Sequence, residues 1–66
     1  MAIKKIPLPA ARKMANLTQK GLADLCGVSE STVLNWEKGR TEPTVSQALQ
    51  VADACGLSID DIIFCP

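Results

Sequence analysis

Between Thr18 and Glu37 the chain reads Thr-Gln-Lys-Gly-Leu-Ala-Asp-Leu-Cys-Gly-Val-Ser-Glu-Ser-Thr-Val-Leu-Asn-Trp-Glu, a spacing that admits two short helices joined by a turn too tight for anything but a fixed crossing. Thr18 is a good N-cap, because its side-chain oxygen can accept one of the backbone N–H groups left unpaired at a helix start. Leu22, Ala23 and Cys26 then recur at helical steps, which predicts a helix from near Gln19. Gly27 can take the left-handed backbone that ends it, and Ser29 supplies a second N-cap, so the next helix starts near Glu30. Val33, Trp36 and Glu37 share one face of that helix, leaving Glu30, Ser31, Leu34, Asn35 and Lys38 open to a partner. Lys38-Gly39 closes it, with a cation at the negative end of the helix dipole. The pattern is a helix-turn-helix, whose second helix serves in DNA recognition.

Sixty-six residues make one domain, and nearly every apolar side chain is needed for its core. No apolar run approaches the roughly 18 residues of a membrane span, and the Lys-flanked start lacks a signal-peptide core. The expectation is a soluble, cytoplasmic protein. Cys26, Cys55 and Cys65 are odd in number, widely spaced and accompanied by no histidine, which argues against a disulfide framework, a zinc site or any metal cofactor. Cys26 and Cys55 are expected in the core, and Cys65 as an exposed thiol.

A formal net charge of zero sits poorly with phosphate binding, but the charges are polarised. Lys4, Lys5, Arg12, Lys13 and Lys20 precede residue 21, where there is no acid, while Asp53, Asp60 and Asp61 crowd the last third without a base. Such a chain can present one basic face and turn its acidic end away.

Read outward from the central pair, the spacing predicts an all-α domain of five helices. Leu8, Ala11, Arg12 and Ala15 share a face of helix one, where Pro9 is tolerated in the first turn and Asn16 can adopt the left-handed position that follows. Arg40 to Pro43 form a loop, and Thr44 caps helix four, with Val45, Ala48, Leu49, Ala52 and Cys55 as its apolar repeat and Gly56 as its stop. Ser58 caps a fifth helix, in which Asp60 and Asp61 suit the positive N-terminal end and Ile62, Ile63 and Phe64 return to the core. No strand pattern and no internal repeat is read. The organisation expected is a basic arm over 1–7, the helix-turn-helix domain over 8–64 and a tail of 65–66.

Leu17-Thr18-Gln19, Leu22-Ala23, Gly27-Val28-Ser29, the run from Ser31-Thr32-Val33 to Trp36-Glu37, Lys38-Gly39, Glu42-Pro43 and Ala52 through Gly56-Leu57-Ser58 to Asp60 occur in order and without a gap. In this the chain resembles the Cro/Xre family of repressors, with its compact five-helix lambda-repressor-like domain. The resemblance implies a sequence-specific transcriptional regulator of Cro/Xre repressor type that inserts helix three, about residues 30–38, into the major groove of a palindromic operator as a dimer. It places Glu30, Ser31, Leu34 and Asn35 at base edges, where Asn35 suits adenine, Glu30 suits cytosine N4, Ser31 serves several bases and Leu34 meets a thymine methyl. Gln19, Thr32, Lys38 and Arg40 fall at phosphate-contacting positions, which orient without specifying. Arg12 and Glu37 match a structural ion pair, and Trp36 a packing residue. A dimer contact is implied through the loop before helix four and the last helix, with Ile59, Ile63 and Phe64.

Two residues depart from the family pattern. Gly21 occupies the middle of helix two at a cost of about 1 kcal/mol against alanine, and Ala11 stands where a larger Leu is usual, which should leave helix one lightly anchored. Catalysis is not expected: there is no histidine or tyrosine, no Gly-rich phosphate loop, and Asp60 and Asp61 point to different sides. No small-molecule ligand is indicated. The rival reading is a protein-interaction module of the same fold, such as an antitoxin or anti-repressor, which would need an exposed apolar patch where only Leu34 offers one.

Overall fold

The computed structural model describes residues 5–64. Lys4, Cys65 and the 65–66 tail lie outside the described residues, as does all but the end of the 1–7 arm. A two-residue strand β1 (Ile6–Pro7) leads into helices α1 (Leu8–Met14), α2 (Gln19–Cys26), α3 (Glu30–Glu37) and α4 (Val45–Cys55), then a single 3-10 turn (Ile59–Asp61) and a second strand β2 (Ile62–Ile63).

Side-chain caps set the starts of three helices. Thr18 accepts from the Gly21 N–H, Ser29 from Thr32, and Thr44 from Gln47, whose own amide oxygen takes the Thr44 N–H in a full capping box. The stops are equally local. Asn16 has φ 59°, and Gly27 and Gly56 both have φ 70°, the left-handed conformation that closes a helix with little strain only for glycine or asparagine. At α1 no side chain caps the start. Pro7 holds the N-cap position with φ −58°, and Pro9 lies in the first turn, where an N–H has no intrahelical acceptor.

Three expectations about the elements and their repetition are corrected. There are four α-helices, and the predicted fifth is one 3-10 turn: Asp61 folds back onto the Ser58 N–H at 3.2 Å, and β-branched Ile62 then turns extended at φ −112°, ψ 134°. A strand pair does exist, with β1 parallel to β2 and Ile6 opposite Ile62. Two residues are too few to show the alternation by which strands are recognised. An internal repeat also exists. Leu22-Ala23-Asp24-Leu25-Cys26-Gly27-Val28-Ser29 returns as Val51-Ala52-Asp53-Ala54-Cys55-Gly56-Leu57-Ser58. Both copies fold alike: Val28 N–H reaches the Ala23 carbonyl at 3.0 Å and Leu57 N–H the Ala52 carbonyl at 2.9 Å, the closing bond of the same helix-ending motif.

The core is one cluster drawn from every helix and from β2, with Leu8, Leu22, Val33 and Val51 its largest fully enclosed side chains. α2 packs on both α3 and α4, and α1 bridges α3, α4 and the strand pair. Ala11 is completely buried beside Leu8 despite its small side chain. Cys26 is buried as expected, and Cys55 is half-buried against the cluster. On α4 the buried face is Ala48, Val51 and Ala52, whereas Val45 and Leu49, expected inward, are 75% and 52% exposed. The spacing allowed either of two neighbouring stripes, and packing against α2 selects the one containing Val51.

Candidate nucleic-acid interface

α3 is held by its inner face. Val33 and Trp36 are 0% and 3% exposed, which fixes the roll of the helix. At about 100° per residue, Ser31, Leu34, Asn35 and Lys38 then lie within about 50° of the direction opposite that buried pair, while Glu30 lies about 90° from it at the edge of the face. Glu30, Ser31 and Lys38 are exposed, and Leu34 and Asn35 are half-buried. The face thus gathers a hydroxyl, an amide, one apolar side chain and a cation, a set able to donate, accept and meet a methyl.

At its N-terminus, Ser29 Oγ accepts the Thr32 N–H at 3.2 Å and lies 2.9 Å from Thr32 Oγ1. When Ser29 donates in that second bond, the Thr32 hydroxyl keeps its own proton for an outside acceptor. Beyond the helix, Lys38 and Arg40 are exposed on either side of Gly39, whose φ of 74° makes the turn. Lys20 on α2, Lys13 on α1 and Lys5 ahead of β1 are exposed as well.

Beneath this surface Arg12, Gln19 and Glu37 form one network joining α1, α2 and α3. Arg12 Nε donates to Glu37 Oε2 at 2.7 Å, its Nη2 reaches Oε1 at 3.5 Å, and its Nη1 donates to the Leu17 carbonyl at 2.9 Å. The Arg12 and Glu37 side chains are 12% and 7% exposed, so the pair is nearly removed from water. Gln19 Nε2 donates to Glu37 Oε1 at 3.1 Å. That bond was missed from the sequence, where Gln19 and Glu37 carry separate roles and nothing in their spacing links them.

Among the described residues no three metal-ligating side chains come together. An apolar depression of about 100 Å³ between the strand pair and the end of α3, lined by Pro7, Leu8, Trp36 and Phe64 among others, falls well below the ~300 Å³ at which small-molecule pockets begin. Burial pushes the thiols of Cys26 and Cys55 up from their ordinary value, and neither belongs to the α3 face.

Two helices crossing at a fixed turn, with the second showing a polar outward face above a buried ion pair, define a helix-turn-helix domain of the Cro/C1 type. The chain belongs to the helix-turn-helix family, whose model matches residues 10–62. An uncharacterized HTH-type transcriptional regulator of Methanocaldococcus jannaschii is 41% identical over 51 residues, which cover 77% of each chain. The cryptic phage CTXphi transcriptional repressor RstR of Vibrio cholerae is 37% identical over 51 residues, covering 77% of this chain and 46% of that one. Among solved structures, the P22 c2 repressor protein in complex with a synthetic operator superposes with a TM-score of 0.75 at 32% identity, covering 80% of each chain. No helix among the described residues is long and apolar enough to cross a membrane.

Proposed function

We propose that this protein is a sequence-specific, double-stranded DNA-binding repressor that lays α3 in the major groove of a palindromic operator as a homodimer. The observation that carries the reading is the opposition on α3 between buried Val33 and Trp36 and the outward Ser31, Leu34, Asn35 and Lys38. The similarity to a repressor solved on its operator supports it. In this reading Glu30, Ser31, Leu34 and Asn35 read base edges, with Asn35 paired to adenine N6 and N7. Gln19, Thr32, Lys38 and Arg40 grip phosphates on either side of the groove.

A dimer places two such helices about 34 Å apart on one face of the duplex. The longest extent of the domain is 36 Å, of the same order as that spacing. Val45 and Leu49, one turn apart at the start of α4 beside the expected loop, supply exposed apolar surface for the second copy. Ile59, Ile63 and Phe64 are partly committed to their own domain. A protein partner held on the α3 face is less well supported, because the large exposed apolar side chains Met14, Leu25, Val45 and Leu49 lie on α1, α2 and α4 and none lies on α3.

Selection from random duplexes at two salt concentrations tests the reading. The expected result is enrichment of a palindrome, weakened by salt and lost in folded Asn35→Ala. No enrichment by folded protein, at concentrations where dimers form, sinks the operator-reading assignment.

A further inference from the structure

We infer that Glu37 is a positioning residue for DNA binding, acting through Gln19: the buried carboxylate fixes the amide of Gln19 so that one N–H points to Glu37 and the other is held ready for a phosphate oxygen. The inference rests on the DNA-binding reading above and adds a device to it.

The chemistry of the three side chains leaves little freedom. A carboxylate only accepts, so the Gln19 amide must turn its nitrogen toward Glu37 Oε1, where it sits at 3.1 Å, and its own carbonyl oxygen away. Glu37 cannot swing to another partner, because Arg12 holds it at 2.7 Å and the Leu17 carbonyl holds Arg12 in turn at 2.9 Å. With its side chain 7% exposed, Glu37 has little access to water as a substitute. An amide nitrogen has two hydrogens, and the second remains after Glu37 is satisfied. Gln19 itself is half-buried at the first position of α2, directly after Thr18, where the helix N-terminus also favours an anion. An untethered glutamine presents either end of its amide to a phosphate, and the oxygen end repels it. A tethered one presents the donor and has already lost its rotamer freedom. The scaffold pair Arg12–Glu37 is thereby linked to the DNA-facing surface.

Two measurements on the full chain test this. In the free wild-type protein, the two Gln19 side-chain amide protons should give separate, motionally restricted NMR signals, and adding the enriched duplex should shift one far more than the other. A Gln19 amide as mobile as that of an exposed glutamine overturns the inference without any variant having to fold. In duplex binding, Gln19→Met should weaken affinity about tenfold, as expected for a lost hydrogen bond to a charged group. The same change in a folded Arg12→Met, Glu37→Leu background should cost less than about twofold, since no acceptor remains there to orient the amide. Equal losses in both backgrounds overturn the inference while leaving DNA binding intact. Failure of the wild-type protein to enrich any duplex instead removes the DNA-binding reading on which it stands.

Discussion

Glu37→Ala is the substitution that tests the Arg12–Gln19–Glu37 network most directly. It removes the carboxylate that takes both Arg12 Nε at 2.7 Å and Gln19 Nε2 at 3.1 Å, and it strands a guanidinium whose side chain is only 12% exposed. Breaking one side of a buried pair costs about 3–5 kcal/mol, most of it the desolvation of the remaining charge. Arg12 keeps the Leu17 carbonyl and a little water, so the low end applies, about 3 kcal/mol. A domain of this length has a total stability of roughly 3–10 kcal/mol, and the melting temperature should fall by about 12–24 °C. Urea and thermal unfolding followed by Trp36 fluorescence and circular dichroism measure both quantities. The double variant Arg12→Met with Glu37→Leu should recover most of the loss, because apolar side chains of similar volume often replace a buried pair at no net cost. A loss below about 1 kcal/mol in Glu37→Ala would refute the reasoning, since it would mean that Arg12 is solvated as an exposed side chain is.

Three other outcomes are expected. Gly21→Ala should gain less than half of the ~1 kcal/mol of helix propensity, because the added Cβ would lie 3.1 Å from the Thr18 Oγ1 that caps the helix; in a Thr18→Ala background, with that oxygen gone, the full gain should appear in urea unfolding. Stability should fall as pH rises past 9.0, because burial holds the folded thiols of Cys26 and Cys55 protonated while the unfolded chain releases its protons; the loss continues until the folded thiols ionise. Urea midpoints at about pH 8 and about pH 10 should therefore separate more in the wild type than in a Cys26→Ala, Cys55→Ala variant, and an equal separation would remove the thiols as the cause. Val45→Glu, at a side chain 75% exposed, should leave the monomer's melting temperature within a few degrees and shift sedimentation toward monomer; unchanged assembly places the dimer contact elsewhere.

The elements that could be read from sequence are those whose geometry is decided within four or five residues. Thr18, Ser29 and Thr44 each bond the N–H three residues on, and Asn16, Gly27 and Gly56 each take the left-handed stop, so helix limits could be placed closely. The burial of Val33 and Trp36 follows from their shared face. What escaped is what depends on distant partners. Ile6 becomes a strand only because Ile62 lies opposite it, and Val51 displaces Leu49 from the core only because α2 covers that stripe. The Gln19–Glu37 bond joins side chains whose proximity is created by the fold. The repeated eight-residue segment was visible as letters but masked by its differing continuation, a full helix after Ser29 and one 3-10 turn after Ser58.

The strand pair also has a consequence for how the domain closes. β1 lies ahead of all four helices, yet its partner Ile62 follows the last of them. Closing that distance is the longest-range step in the fold, and its entropic cost must be met before the contact returns anything. A chain cut before residue 62 leaves Ile6 unpaired and a place in the core unfilled, since Ile62 itself is 4% exposed. Such a product would bare apolar surface that the whole domain hides, which is what proteases and chaperones recognise. Two pairs of residues thus close the domain over its core, although neither belongs to the α3 face.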